Sequence, residues 1–298
     1  MTPTTFDVPS SPGGTAVPPF GRTSAWCDVL LGGGAPVEVI DSHAHMGPFS
    51  RFFIHDPTPA AVLVVMGRCN VATTVFSSHR AIEADASQGN DETARVVDRY
   101  PGRFAGYFVI NPHQDPDGEL LRWSEDHRFV GVKLHPDLHD YPITGRLYDR
   151  VLRWAAERGK PVLTHTWGGS TLDDPAMLGR VCARIPDLTL IAGHSGANPR
   201  GFGVAVEVAR DHEGIILDTC GSQMTGDWIA HMVREVGPHR VVFGSDVPFL
   251  DLRYQLARVL AAPLESNALA MVLRHNSIRI FGQQLARVTA TVSTGGTP

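Results

Sequence analysis

The chain has 298 residues, 43% hydrophobic and 19% charged, with 26 basic and 31 acidic side chains for a net charge of −5. That apolar fraction supports a full core and excludes wholesale disorder, and the mild acidity offers no basic track for a nucleic-acid backbone or an anionic membrane. No apolar run approaches the ~18 residues that a membrane helix needs, and the four scattered cysteines form neither a C-x-x-C pair nor a disulfide framework.

Residues 1–36 are rich in Pro, Gly, Ser and Thr, and read as a flexible N-terminal arm hinged at Gly32, Gly33 and Gly34. The start lacks a basic n-region and an apolar h-region, so no secretory leader is expected and the expected compartment is cytoplasmic. From 37 to 283 one pattern repeats. Short β-branched runs at 37–40, 73–76, 105–110, 130–134, 161–164, 188–192, 214–217 and 240–243 alternate with helix-like segments. Helices are expected at 59–69, 92–100, 147–158, 174–184 and 227–236. In the third of these, Leu147, Val151, Leu152, Ala155 and Ala156 recur at helical spacing before Gly159 stops the run. Strands that are each reached by a crossover pair in parallel. Eight such units close naturally into a single-domain (β/α)8 TIM barrel, an α/β fold. The G-x-G-x-x-G of an open dinucleotide-binding sheet is missing after the first strand. Residues 284–298 read as a frayed C-terminal tail.

Fourteen histidines accompany those four cysteines, and their placement carries the chemistry. Barrel enzymes work at the C-terminal ends of their strands. The first strand ends IDSHAH, with His43 and His45, and the fourth ends GVKLHP, with Lys133 and His135. The fifth ends in His165, the sixth in His194, and the eighth, VVFGSD, in Asp246. Residues i and i+2 of a strand share a face, so both imidazoles of His43 and His45 can turn toward one ion. With His165 and Asp246 they make three nitrogens and a carboxylate, a set suited to Zn²⁺ or a similar divalent metal that activates water. Asp41 shares that face, and either orients the two histidines or bonds local backbone amides.

The loops bring Phe49, Arg51, Phe52, Phe53, His55, His79, Arg80, His139, Tyr141, Trp167 and Arg200 above the strands. An apolar wall with a few cations suits a small, partly apolar carboxylate. Arg51, His135, Trp167 and Arg200 are the residues expected to touch it. Cys69 and Cys182 read as core thiols, whereas Cys220 follows the seventh strand and can face the pocket.

These motifs, together with GNDETARVVDRYPGRFAGYFVINP, GKPVLTH, IAGHSG and RHNSIRIFG, make the chain resemble the amidohydrolase superfamily over roughly residues 37 to 283. The resemblance is to the amidohydrolase-2 branch, which includes aminocarboxymuconate semialdehyde decarboxylase-like proteins. It implies His43, His45, His165 and Asp246 as metal ligands, with Asp246 also accepting a proton from water. It implies His194 as a catalytic acid or base, or as a ligand to a second ion. Lys133 would be a carboxylated bridge between two ions, a cation for the substrate's anionic group, or structural. One ion, most simply zinc, is expected, and two if Lys133 is carboxylated. The leading expectation is a metal-dependent hydrolase of a small amide, lactone or ester that carries a carboxylate, a choice Lys133 tilts slightly. The alternative is a non-oxidative decarboxylase or hydratase of a small carboxylic acid on the same mononuclear site. The partner is a small-molecule substrate, with neither nucleic acid nor membrane, and the family resemblance is compatible with a homo-oligomer.

Overall fold

The structure is a computed structural model and describes residues 25–290. The apolar runs become eight strands: β1 (Val39–Met46), β2 (Val71–Ser78), β3 (Phe104–Val109), β4 (Phe129–Leu134), β5 (Val162–His165), β6 (Leu190–Gly193), β7 (Ile215–Asp218) and β8 (Val241–Val242). They pair in parallel and in chain order from β1 to β8. Backbone bonds then join the two ends. Ser42 N donates to Phe243 O at 2.9 Å, Asp246 N to His43 O at 2.8 Å, and His45 N to Val247 O at 2.7 Å. The result is the expected single-domain (β/α)8 barrel. Its strands are buried on both faces, which is why they read as continuous apolar runs rather than alternating ones.

The helices are α1 (Ala25–Leu30), α2 (Pro59–Cys69), α3 (His79–Glu83), α4 (Ala86–Arg99), α5 (Pro116–Trp123) and α6 (Asp149–Glu157). They continue as α7 (Ala176–Arg184), α8 (Pro199–Asp211), α9 (Gly226–Val236), α10 (Leu252–Ala261), α11 (Ser266–Ala270) and α12 (Asn276–Ala290). Several starts are capped by the residues that chemistry favours there. Thr58 accepts from Ala61 N ahead of Pro59, Asp85 from Gln88 N, and Asn198 from Gly201 N ahead of Pro199. None of the helices among the described residues is long and apolar enough to cross a membrane.

Three differences from the sequence reading have physical causes. The first strand runs on through IDSHAH to Met46, so His43 and His45 lie within it. α5 and α8 escape the periodicity reading because α5 holds Pro116 and Gly118 in eight residues, and α8 carries Gly201 and Gly203. Within the segment read as an arm, Ala25–Leu30 is helical and packs on α10 with Val29 fully buried. Packing, not local pattern, stabilises that turn. Residues 1–24 of the arm, and 291–298 of the tail, lie outside the described residues, and α12 extends past 283 to Ala290. The RHNSIRIFG segment closes the bottom of the barrel, where Asn276 Nδ2 donates to Val241 O and Pro238 O at 2.7 Å.

Candidate active site

Asp41, His43 and His45 lie along β1, whose pairing with β2 shifts register between Asp41 and Ala44, and all three are buried. His43 Nδ1 lies 2.7 Å from Asp218 Oδ2 at the end of β7. A carboxylate only accepts, so Nδ1 carries the proton and Nε2 keeps its lone pair. Lys133 Nζ reaches that Nε2 at 2.9 Å. His165 repeats the arrangement, with Nδ1 2.7 Å from Asp173 Oδ2. His45 Nδ1 is 3.2 Å from Ser77 Oγ, and its Nε2 is 3.3 Å from Asp246 Oδ1. Burial, reinforced by the Lys133 charge, holds His43 and His45 well below the usual histidine range, so both rings are neutral.

Asp246 is the least satisfied member. Its backbone has φ +61°, and its Oδ1 is buried without a hydrogen-bond partner. Burial raises its carboxyl above the ordinary value, against the pull of His194 and Lys133. An unpaired buried carboxylate oxygen is costly. Donor atoms of His43, His45 and Asp246 all lie within 4.8 Å of one another. Two neutral nitrogens and a carboxylate could hold a divalent cation, which would satisfy that stranded oxygen. Lys133 is fully buried, and burial pulls it down to about 8 while Asp246, Cys220 and Asp218 resist.

Two glycines make room for this grouping. A Cβ on Gly244 would sit 2.3 Å from Asp218 Oδ1 and 2.7 Å from His43 Cβ, and one on Gly193 would sit 3.1 Å from His43 Cε1. Asp41 does not touch the imidazole rings. It accepts from Ser245 Oγ at 2.5 Å, Ser245 N at 3.0 Å and His43 N at 3.2 Å, clamping β1 to the segment after β8. Burial pushes its carboxyl up to about 7.

His194 begins a run of left-handed backbone, with φ +63° there and +46° at Ser195, conformations that cost energy outside glycine. Asp218 holds the run by accepting His194 N at 3.0 Å, and the Asp218 backbone exchanges two hydrogen bonds with Ser195 Oγ. The Cys220 thiol donates to Asp218 Oδ2 at 2.8 Å and stands 3.1 Å from His194 Nδ1. His43, His194, Asp218 and Cys220 thus gather as well, but their facing atoms are already hydrogen-bonded to one another.

Above these groups opens a cavity of about 540 Å³. His45, Lys133, His135, His165, His194 and Asp246 line its floor, under a hood of Phe49, Phe52, Trp167 and Phe249. His165 stands across the pocket from the tight group, its ring 4.9 Å from that of His194. Arg51 lies at the mouth, 3.9 Å from Asp137, and both are largely exposed. Arg200 does not join the lining. Pro199 starts α8 there, and Arg200 is carried on the exposed first turn. Phe53 and His55 also face outward, and Cys220 sits behind His43 and His194 rather than in the pocket.

Asp218, Asp173 and Phe249 escaped the sequence reading. Asp218 becomes visible once β7 is extended by one residue, because it then occupies a strand end like the others. Asp173 sits in a loop eight residues after His165, where no periodicity marks it. His79, read as a loop residue, is buried and donates Nδ1–H to Gly47 O at 2.7 Å. Its ring stacks 4.9 Å from His45, and burial drives it down to about 3.

A family model described as amidohydrolase matches residues 40–283. No curated protein matches the chain significantly. Among solved structures, the chain resembles 5-carboxyvanillate decarboxylase from Sphingomonas paucimobilis, with TM-score 0.63 and 18% identity, covering 82% of this chain and 98% of that one. It resembles 4-oxalomesaconate hydratase from Rhodopseudomonas palustris, with TM-score 0.63 and 18% identity over 86% and 99% of the two chains. It also resembles a dihydroxybenzoic acid decarboxylase from Polaromonas sp. JS666, solved with bound manganese and the inhibitor 2-nitroresorcinol, with TM-score 0.65 and 14% identity over 83% and 98%. A further decarboxylase and a probable 2-pyrone-4,6-dicarboxylic acid hydrolase match similarly. At these identities the likeness speaks for the fold alone.

Proposed function

This chain belongs to the amidohydrolase family, and from that premise we propose that it is a metal-dependent lyase, a non-oxidative decarboxylase or a hydratase of a small carboxylic acid. One observation carries the reading. The candidate ion group and a fully buried lysine share the floor of a single pocket whose hood is aromatic. A buried ammonium under an apolar hood suits a planar organic carboxylate. The structural neighbours named above support it, being mostly decarboxylases with a hydratase among them. The hydrolase expected first from the sequence therefore becomes the second reading, supported by one neighbour.

His43, His45 and Asp246, with His165 across the pocket, would hold the ion, zinc or manganese. Bound there, it would supply a Lewis acid for the substrate's carboxylate and a neighbouring oxygen. Lys133 binds the carboxylate, and the hood of Phe49, Phe52, Trp167 and Phe249 orients the substrate and excludes water. In decarboxylation the C–CO₂ bond breaks, its electron pair stays on the ring or enol carbon, and that carbon takes a proton. Asp246 and His194 line the pocket and are the groups placed to deliver it. In a hydratase the same two groups would take a proton from the adding water and return one to carbon.

The test is an assay of purified protein supplied with Zn²⁺ or Mn²⁺. CO₂ release from 5-carboxyvanillate and 2,6-dihydroxybenzoate, hydration of 4-oxalomesaconate and ring opening of 2-pyrone-4,6-dicarboxylate are followed side by side. CO₂ release or hydration, with close to one ion per chain by mass spectrometry, is the expected result. Lactone opening alone, with close to two ions, would return the protein to hydrolysis and Lys133 to a bridging role.

A further inference from the structure

His135 follows β4 and differs from His43 and His165 in the kind of group that engages its Nδ1. The loop His135, Pro136, Asp137, Leu138, His139 turns back on itself, with His139 N donating to His135 O at 2.9 Å and Tyr141 N to Pro136 O at 3.0 Å. That turn lays the amide of Leu138 on the ring, donating to His135 Nδ1 at 3.3 Å. An amide N–H only donates, so Nδ1 is the lone-pair nitrogen and the proton of the neutral ring sits on Nε2. His43 and His165 are the opposite case, because Asp218 and Asp173 take their Nδ1 hydrogens at 2.7 Å, and in a neutral ring the lone pair then sits on Nε2, where Lys133 donates to that of His43 at 2.9 Å. The two kinds cannot do the same work. A bare Nε2 offers electrons to a cation, whereas an Nε2–H offers a hydrogen to an oxygen.

The ring is also held in place. It stacks on His165 with centroids 4.2 Å apart and 13° between planes, and it lines the cavity two residues after Lys133. Among the described residues no protein group accepts its Nε2 hydrogen. We propose that His135 recognises the substrate as a neutral donor, its Nε2–H binding an oxo, hydroxyl or phenolate oxygen beside the carboxylate that Lys133 takes. The substrate class is accordingly a small acid with a second oxygen function next to its carboxylate. This rests on the reading of the pocket as a carboxylic-acid site. The assignment also separates His135 from the ion-binding histidines, since its pocket-facing nitrogen has no lone pair to give.

Long-range ¹H–¹⁵N spectra of the full chain labelled with ¹⁵N-histidine test this without any substrate. His135 signals are identified by their loss in His135→Gln. An Nε2–H tautomer that Zn²⁺ leaves unchanged is expected, while zinc shifts the signals of His43 and His45. An Nδ1–H tautomer, an imidazolium at neutral pH, or zinc ligation by His135 overturns the proposal. For whichever panel acid is turned over, His135→Gln keeps an N–H donor near Nε2 and should hold kcat/KM within about tenfold. His135→Leu should lose about 10- to 100-fold, the worth of a hydrogen bond to a charged oxygen. Equal losses in the two variants would also overturn the donor role. If no acid is turned over, the functional reading fails by itself, and the tautomer still decides the role of His135.

Discussion

Two cavities of similar size lie at opposite ends of the barrel, about 540 Å³ at the C-terminal mouth and about 600 Å³ at the N-terminal end. In the lower one the polar groups are mutually satisfied. Arg103 donates to Ala72 O at 2.9 Å and Val71 O at 3.0 Å, Asn70 donates to Ala35 O, and Arg274 pairs with Glu38. At the mouth, buried Asp246 Oδ1 and His79 Nε2 have no partner, and His194, Ser195 and Asp246 hold left-handed backbone. Volume therefore does not mark the functional end. Unmet hydrogen-bonding capacity does, because a fold retains such a penalty where a ligand or a reaction offsets it.

The contrast can be broken most directly at Asp246. Asp246→Asn should lower turnover by about 10²–10⁴-fold, the worth of a positioned acid–base group, and should weaken zinc binding in a chelator competition. An unchanged rate would remove Asp246 from the site. Asp218→Asn leaves every candidate ligand present but replaces the acceptor-only carboxylate that fixes the tautomer of His43 with a neutral amide that can accept or donate. Metal affinity should fall about 10- to 100-fold, measured by the same competition, and an unaltered affinity would show that the Asp218 bond orients nothing.

A smaller effect is read through pH. His79 titrates near 6.5 when unfolded and at about 3 when folded. The unfolded chain therefore binds more protons between those values. The stability His79 contributes is fully present above pH 6.5 and is lost as pH falls toward 3, at up to about 1.4 kcal/mol per pH unit. Denaturant unfolding of metal-free His79→Gln should show a shallower decline between pH 6.5 and 5 than the parent chain, and parallel curves would contradict the buried neutral ring. Glu38→Gln at the lower cavity should be nearly silent. Loss of a half-exposed pair costs below about 1 kcal/mol in chemical denaturation, with kcat/KM unchanged, and a large activity loss there would overturn the division between the two ends.

Much of the site is legible in the sequence, for a physical reason. Side-chain alternation along a strand is local, so H-x-H in IDSHAH already places two imidazoles on one face, and the strand-helix rhythm already places His165, His194 and Asp246 at one edge. Other features are hidden because their causes are distant. Asp218 meets His43 across 175 positions of chain. Arg200 is turned outward by a helix start that two glycines conceal from periodicity, and Ala25–Leu30 is helical because α10 lies beside it.

By itself, then, the sequence determines an eightfold alternation of strand and helix and the kinds of side chain that crown the strands, since both follow from short-range pattern. Only the tertiary structure decides what each of those side chains offers. Whether a neutral histidine ring carries its hydrogen on Nε2 is set by what engages Nδ1, Asp218 for His43, Asp173 for His165 and the Leu138 amide for His135. The first partner comes from the end of β7, two strands from β1 around the closed barrel, and the second from the loop that follows β5, eight residues after the ring it holds. The third comes from a turn whose shape the ring itself helps to hold.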